Sequence, residues 1–414
     1  MRVIDLGQIA AWRQSIVVRR RVVRRRIWVL SLVALTVTYS YLAYQRPLPD
    51  AVPVVTAVDQ GQTSPVSFKW PSIGQAAFGS PGYGILASSP SQAPAPTASV
   101  AKVITALVVL RKQPLKLGTQ GPLLILSAED VEYYNFYSAN NGSNIRVEDG
   151  EKLSLYQALQ ALIIPSANNI AESLARWAFG SQTAYVEAAN KLVKELGMTH
   201  TNVADASGFS PKTVSTAEDL VLLGIAAMNQ PVLTEVFGQT TASLPLVGEL
   251  RSTNRLLSQE GYIGIKTGNT EEAGGCYLFA VRRQLFGLQV PLVGAVMSAP
   301  TLADAMEYSK SISSQAFQGF RQRTVVAKGQ QVASYKYRWG STNHAAIDAD
   351  LKVVAWQDEK LAYSSQLESL KAEANPGASL GLFGAASKLQ KSTQNVTVGE
   401  RNTLPSFWWR LFRL

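Results

Sequence analysis

The sequence predicts an α+β fold: helices packed on an antiparallel sheet, followed by a small β-rich domain and preceded by a helix able to span a membrane. Three observations lead there. An uncharged apolar run near the N-terminus follows a block of arginines. The middle of the chain mixes helix-length apolar stretches with strands whose last members cluster between residues 262 and 297. Past about Arg321 only short alternating runs remain, separated by Gly, Asn, Asp and Pro.

The 414 residues are 46% hydrophobic, enough for more than one core. The net charge of +10 is unevenly placed, because eight arginines (Arg2, Arg13, Arg19, Arg20, Arg21, Arg24, Arg25, Arg26) stand against Asp5 in residues 1–26. The excess is local, which argues against a nucleic-acid partner. Residues 27–44 carry no charge and approach the roughly 20 residues that cross a bilayer. Arginines before them place that end in the cytoplasm and the rest of the chain outside it, in a cell membrane. A cleavable signal peptide competes with this anchor, but the flank Tyr41-Leu42-Ala43-Tyr44-Gln45-Arg46-Pro47 lacks a clear small-x-small site. Residues 45–66, rich in Pro, Gln, Ser and Thr, read as a linker.

Cys276 is the only cysteine, so no internal disulfide is possible, and it falls on an apolar strand as a buried small hydrophobe. His200 and His344 are the only histidines and lie far apart, so no zinc site is expected and no cofactor is called for. Helices are expected at 100–110, 154–164, 167–179, 182–196, 216–228 and 302–317, and strands at 83–87, 123–125, 262–266, 276–282 and 290–297. The catalytic domain is expected over 67–321 and the β-rich domain over 322–403.

A serine hydroxyl needs an adjacent base to act as a nucleophile. Ser99-Val100-Ala101-Lys102 heads an apolar helix candidate, where a three-residue spacing puts both side chains on one face. A lysine among apolar neighbours loses solvation, its pKa falls, and it can accept a proton. Alone the pair is a weak signal, more readily read as a helix N-cap and a solvated lysine. Lys266-Thr267-Gly268 is rarer by chance and ends an apolar strand candidate. A strand edge, a hydroxyl and a cation there suit an extended peptide with a carboxylate, and Gly268 leaves room for it. Ser-x-Asn occurs four times, at Ser138, Ser166, Ser252 and Ser341. Ser166-Ala167-Asn168 is favoured because it forms a tight loop between two apolar helix candidates, whereas Ser138 lies in a polar segment that reads as a mobile loop.

In that order, Ser-x-x-Lys, Ser-x-Asn and Lys-Thr-Gly, with flanks Ile164-Pro165 and Asn269-Thr270-Glu271-Glu272-Ala273-Gly274-Gly275, resemble the low-molecular-mass penicillin-binding proteins, the serine D-alanyl-D-alanine carboxypeptidases of peptidase family S11. The resemblance runs from about Ser67 to the C-terminus. It implies a β-lactamase/transpeptidase-like catalytic domain that acts on peptidoglycan stem peptides ending in D-Ala-D-Ala and is inhibited by β-lactam antibiotics. Ser99 is then the nucleophile, Lys102 its base, and Ser166 a proton carrier to the leaving amine. Asn168 binds the acyl portion, Lys266, Thr267 and Gly268 bind the carboxylate end, and the backbone of Ser99 and Asn269 forms the oxyanion hole.

Two rivals share these motifs. A class A β-lactamase needs a Glu-x-x-x-Asn segment beyond Ser-x-Asn, and residues 195–211 contain none. A DD-endopeptidase, cutting cross-links, carries the same motifs and stays open. The tail, residues 404–414, sets Phe407 with Leu411 and Trp408 with Phe412 on adjacent helical rows, as in a helix lying in a membrane interface. Packing of those aromatics on the β-rich domain is the competing expectation.

Overall fold

The computed structural model describes residues 6–56, 58, 66–357 and 359–413. One helix among them, Leu6–Gln45, is long and apolar enough to cross a membrane. At 1.5 Å per residue it runs roughly 60 Å, about twice a bilayer's hydrocarbon core. The arginines therefore continue the helix expected over residues 27–44.

The central sheet has five antiparallel strands in the order Tyr262–Thr270, Gly274–Leu285, Leu288–Ala299, Gln75–Ser80, Gly84–Ser88. Its two longest strands meet in a two-residue turn, where Phe286 and Gly287 both have positive φ (50° and 81°), the backbone that matches the twist of a hairpin. Both strands are apolar on each face because both faces are covered. Helix Leu302–Phe317 packs on one face, helix Ala217–Met228 on the other. The latter belongs to a helical layer with Lys102–Lys112, Leu155–Ile163, Asn168–Phe179 and Gln182–Glu195, whose apolar residues share one core with the sheet.

Local chemistry sets the element boundaries. Ser154 and Gln157 close a capping box at the start of Leu155–Ile163, and Gly180 (φ 80°) terminates Asn168–Phe179 in the left-handed conformation. Helix Ala128–Ala139, absent from the sequence reading, opens on a second box formed by Ser127 and Asp130. Ser138 thus ends a helix rather than sitting in a mobile loop.

A second, six-stranded antiparallel sheet follows in the order Pro53–Val55, Gln331–Lys336, Thr342–Ile347, Lys391–Val398, Ser379–Ala386, Ala362–Leu367. Its first strand comes from the segment read as linker. Ala51, 2% exposed, exchanges two backbone hydrogen bonds with Leu370 and lies in the core with Val332 and Tyr335. The pairing rests on residues some 280 positions downstream, which a local reading of 45–66 does not reach. Trp356 joins this region to the central sheet, stacking on Phe68 and meeting Phe78 and Phe320 edge-on.

The tail forms the short helix Phe407–Phe412. Trp409 packs edge-on against Trp339 of the β-rich region, and the Tyr39 hydroxyl donates to the Leu411 carbonyl (3.1 Å). Arg410 lies over the Tyr44 ring, while Phe407, Trp408 and Phe412 stay exposed. One tail aromatic thus packs on the β-rich region, as the competing expectation has it, while the other three are exposed and packed on one another.

Ala51→Asp would bury an unpaired carboxylate in the second sheet's core. It is expected to destabilise that sheet by about 2–4 kcal/mol, read as a lower denaturant midpoint; an unchanged midpoint would contradict the strand pairing described for residues 51–55.

Candidate active site

The chain turns sharply before the Lys102 helix. Residues Ala98–Ala101 form one 3-10 turn, with Ala98 at φ 45°, so Ser99 sits in that turn rather than in the α-helix itself. Two close backbone approaches hold the turn. Gly208 (φ 72°) lies so near it that an added Cβ would stand 2.0 Å from the Ala98 carbonyl oxygen. Gly268 runs along its other side, where a Cβ would come within 3.0 Å of both Ala98 Cβ and Ser99 N. The space beside Gly268 is thus taken up by the nucleophile's own turn, not left open for substrate as the sequence reading supposed.

Lys102 is fully buried, and its Nζ has three neighbours: Ser99 Oγ at 2.8 Å, Asn168 Oδ1 at 2.5 Å and the Ser207 carbonyl at 2.8 Å. Asn168 and Ser207 offer acceptor oxygens only. A neutral amine has two hydrogens and one lone pair, so those oxygens take the hydrogens and the lone pair faces the serine hydroxyl. Burial pushes the Lys102 pKa down to about 7, against the opposing pull of Asp205 and Glu172. Asn168 therefore orients Lys102, a contact absent from its expected part in holding the acyl portion.

Ser166 lies in the tight loop between helices Leu155–Ile163 and Asn168–Phe179, at φ 68° and 3% exposed. Its hydroxyl has no hydrogen-bond partner. A strained backbone holding an unpaired buried hydroxyl is characteristic of a group kept for a ligand. Segment 142–145 walls this loop, since the Asn168 N–H donates to the Ser143 carbonyl and Asn169 hydrogen-bonds the Ile145 backbone in both directions.

Lys266 and Thr267 lie on the Tyr262–Thr270 strand, both buried. Lys266 Nζ donates to the Thr267 carbonyl at 2.9 Å. Its pKa is held well below the usual lysine range by burial and then by the neighbouring Lys102. An incoming carboxylate would restore its charge. The Thr267 and Thr253 hydroxyls lie 2.6 Å apart. Asn269, the next strand residue but one, is exposed.

The structure thus joins Ser99, Lys102 and Asn168 by hydrogen bonds, sets Gly268 against the Ser99 turn and Lys266 within electrostatic reach of Lys102, and holds Ser166 in the loop that leads into Asn168. Sequence reasoning missed the layer beneath. Glu172, one helical turn past Asn168, accepts from the Tyr137 hydroxyl (2.9 Å), which also meets Ser207 Oγ (3.2 Å); Ser207 Oγ in turn donates to Asp205 (2.7 Å). Burial raises the Glu172 pKa to about 7. The i+4 spacing from Asn168 to Glu172 was legible, whereas Tyr137 and Ser207 are joined only by the fold. Gly208→Ala is expected to lower stability by about 2 kcal/mol or more in denaturant unfolding, since it sets a side chain on a carbonyl at a left-handed φ.

Residues 82–301 match the family model described as D-alanyl-D-alanine carboxypeptidase, peptidase S11. Among curated proteins the chain is 32% identical over 192 residues to a D-alanyl-D-alanine endopeptidase of Escherichia coli K12, covering 44% of this chain and 57% of that one. It is 33% identical over 190 residues to the Pseudomonas aeruginosa D-alanyl-D-alanine endopeptidase, with the same two coverages. The chain therefore spans 57% of the length of these relatives. The solved Streptomyces K15 DD-transpeptidase superposes with a TM-score of 0.53 over 60% of this chain and 99% of its own, at 24% identity. Penicillin binding protein 5 of Haemophilus influenzae does so with 0.57 over 81% and 99%, at 19% identity. The fold is thus the α+β fold of the DD-peptidases. With the family model matching more than half of the chain across the segment that carries these residues, the protein belongs to the D-alanyl-D-alanine carboxypeptidase family, peptidase S11.

Proposed function

We propose that the chain is a serine D-alanyl-D-alanine carboxypeptidase that removes the terminal D-alanine from peptidoglycan stem peptides through an acyl-enzyme on Ser99. The observation that carries this reading is the contact between Ser99 Oγ and a buried Lys102 whose pKa lies near 7. Ser99 Oγ bonds to the carbonyl carbon as its proton passes to Lys102. Backbone N–H groups of Ser99 and Asn269 stabilise the oxyanion. The carbon–nitrogen bond then breaks, and the unpaired Ser166 hydroxyl carries a proton to the departing amine. Lys266 and Thr267 receive the terminal carboxylate, the counter-charge that the two buried lysines lack on that side. Water cleaves the ester, releasing the acid and regenerating Ser99. β-Lactams enter as inhibitors by acylating the same oxygen.

The enzyme works at a cell membrane, anchored once by helix Leu6–Gln45 with the arginine-bearing end in the cytoplasm and the catalytic domain, residues 67–321, outside. The tail helix Phe407–Phe412 lies against the anchor through Leu411 and Arg410, after the β-rich domain assigned to 322–403, and its exposed Phe407, Trp408 and Phe412 suit the interface.

Fluorescent penicillin is expected to label the intact protein and to leave Ser99→Ala unlabelled; persistent labelling of that variant would sink the assignment. Lys102→Ala is expected to slow acylation by ~10²–10⁴. Because Lys102 acts as a base only when neutral, the acylation rate should rise with pH through about 7. Glu172→Gln removes a neighbouring negative charge that favours the protonated lysine, so stopped-flow acylation should place its acid limb at lower pH than wild type; a limb that stays put or moves up would exclude Glu172 from tuning the base.

A further inference from the structure

Away from the catalytic groups, a cleft of about 410 Å³ opens where the anchor helix ends. Its walls are the residues from Tyr44 to Asp50, the Lys371–Glu373 segment of the β-rich region, and Arg410 of the tail. Each wall is fastened to the rest of the molecule. The Arg410 guanidinium lies over the Tyr44 ring, 4.5 Å from its centroid, and the Arg413 side chain donates to the Arg46 carbonyl (3.0 Å). The Lys371 carbonyl accepts from the Tyr337 hydroxyl (3.1 Å) and the Ala372 carbonyl from the Asn402 amide (3.2 Å). These contacts fix the walls and leave the space between them open.

The lining carries both signs of charge. Arg46, Lys371 and Arg410 share it with Asp50 and Glu373, and none of these five side chains forms an ion pair or hydrogen bond among the described residues. A ligand of one sign would match only half of that set. A phosphate suits the two guanidiniums and the ammonium, and a primary amine suits the two carboxylates. The position of the cleft narrows the choice further. Residues 27–44 are uncharged, their large apolar side chains are exposed, and Arg46 is the first charge after them. Such a boundary marks the level of lipid headgroups. Trp408 and Phe412, exposed and stacked 6.1 Å apart, lie on the tail helix that meets the anchor at Tyr39, and aromatics of this kind settle at that level too.

We propose that this cleft binds the headgroup of a zwitterionic phospholipid carrying a primary amine, with the phosphate on Arg46, Lys371 and Arg410 and the ammonium on Asp50 and Glu373. The acyl chains run along the exposed apolar flank of the anchor. This rests on the membrane anchoring proposed above and adds a bound lipid to it. One headgroup then bridges the anchor, the β-rich region and the tail, three parts of the chain that otherwise meet through a few hydrogen bonds and ring contacts. The lipid acts as a fastening between the membrane and the β-rich region, apart from the Ser99 chemistry.

The test offers the full chain, in detergent, equal amounts of phosphatidylethanolamine, phosphatidylcholine and phosphatidylglycerol, and counts the lipid retained by native mass spectrometry. One phosphatidylethanolamine is expected to be retained at least about 5-fold more than either of the others, because a trimethylated amine gives the carboxylates no hydrogen and a glycerol headgroup has no cation. Lys371→Gln with Arg410→Gln should abolish retention of all three lipids. Asp50→Asn with Glu373→Gln should abolish the preference and leave phosphatidylglycerol retained at least as well as in wild type. Fluorescent penicillin labelling within about twofold of wild type shows that each variant is folded. Equal retention of the three lipids by wild type, or a preference unchanged in both variants, would overturn the site. Glycerophosphoethanolamine, which has no acyl chains, is expected to compete only at about 100-fold higher concentration; equal potency would make the ligand a free phosphoamine and overturn the lipid. A chain that fails to float with phosphatidylethanolamine/phosphatidylglycerol vesicles would instead sink the anchoring itself, so the two failures are distinct.

Discussion

The burial of one ammonium group organises this site. Lys102 has no exposed surface, and a charged lysine taken from water into such a place is costly unless its hydrogens are matched. Three separate parts of the chain supply the matching atoms: the Ser99 turn, the Asn168 helix start and the Ser207 carbonyl. Each is set by something that would otherwise look incidental. The Ser99 turn is pinned between Gly208 and Gly268, and Asn168 is tied by its N–H to Ser143. The Ser207 segment is fastened by Asp205, which accepts from Ser207 Oγ and from the backbone of Phe209 and Ser210. The helical layer and the sheet are thus brought together around a single nitrogen.

Beneath that nitrogen lies a second tier of buried polar groups. Glu172, Tyr137 and Ser207 are linked by hydrogen bonds in a region otherwise filled by apolar side chains. Such a network is costly when incomplete and rigid when complete. Its carboxylates favour the charged lysine, desolvation favours the neutral one, and the balance leaves the base near the middle of the physiological range. Lys266 has desolvation and a like charge with no carboxylate to oppose them, so its charged form waits for the ligand. Two lysines in one cleft are thereby suited to different tasks by their neighbours alone.

Much of this was legible beforehand, for definable reasons. Ser99, Lys102, Ser166, Asn168 and Lys266 to Asn269 belong to short motifs whose spacing survives any change of environment. The long strands announce themselves by apolar runs, and the helix 302–317 by apolar residues returning at helical spacing, Ala305, Met306, Ile312 and Ala316. Helix Ala128–Ala139 does not: it buries only Asp130 and Tyr137, so it has no apolar face to betray it, and its clearest sign is the capping box of Ser127 and Asp130. Tyr137 and Ser207 meet across 70 residues, and Thr253 meets Thr267 through a loop without periodicity. Contacts of that kind are decided by tertiary packing, which local patterns do not encode.

The strand Pro53–Val55 bears on how the molecule is made. Its partner, Gln331–Lys336, lies some 280 residues further along, on the far side of the whole catalytic segment. A ribosome adding residues from the N-terminus exposes the edge strand long before anything exists for it to pair with. The central sheet and its helices have their strands and core between residues 75 and 317, so they can collapse first, and the second sheet closes around an early strand with a late one. Until that closure the short, apolar strand stays an open edge next to the anchor. Completion of the β-rich region therefore waits on residues that follow the whole catalytic segment, whose own strands and helices need nothing from it to pair.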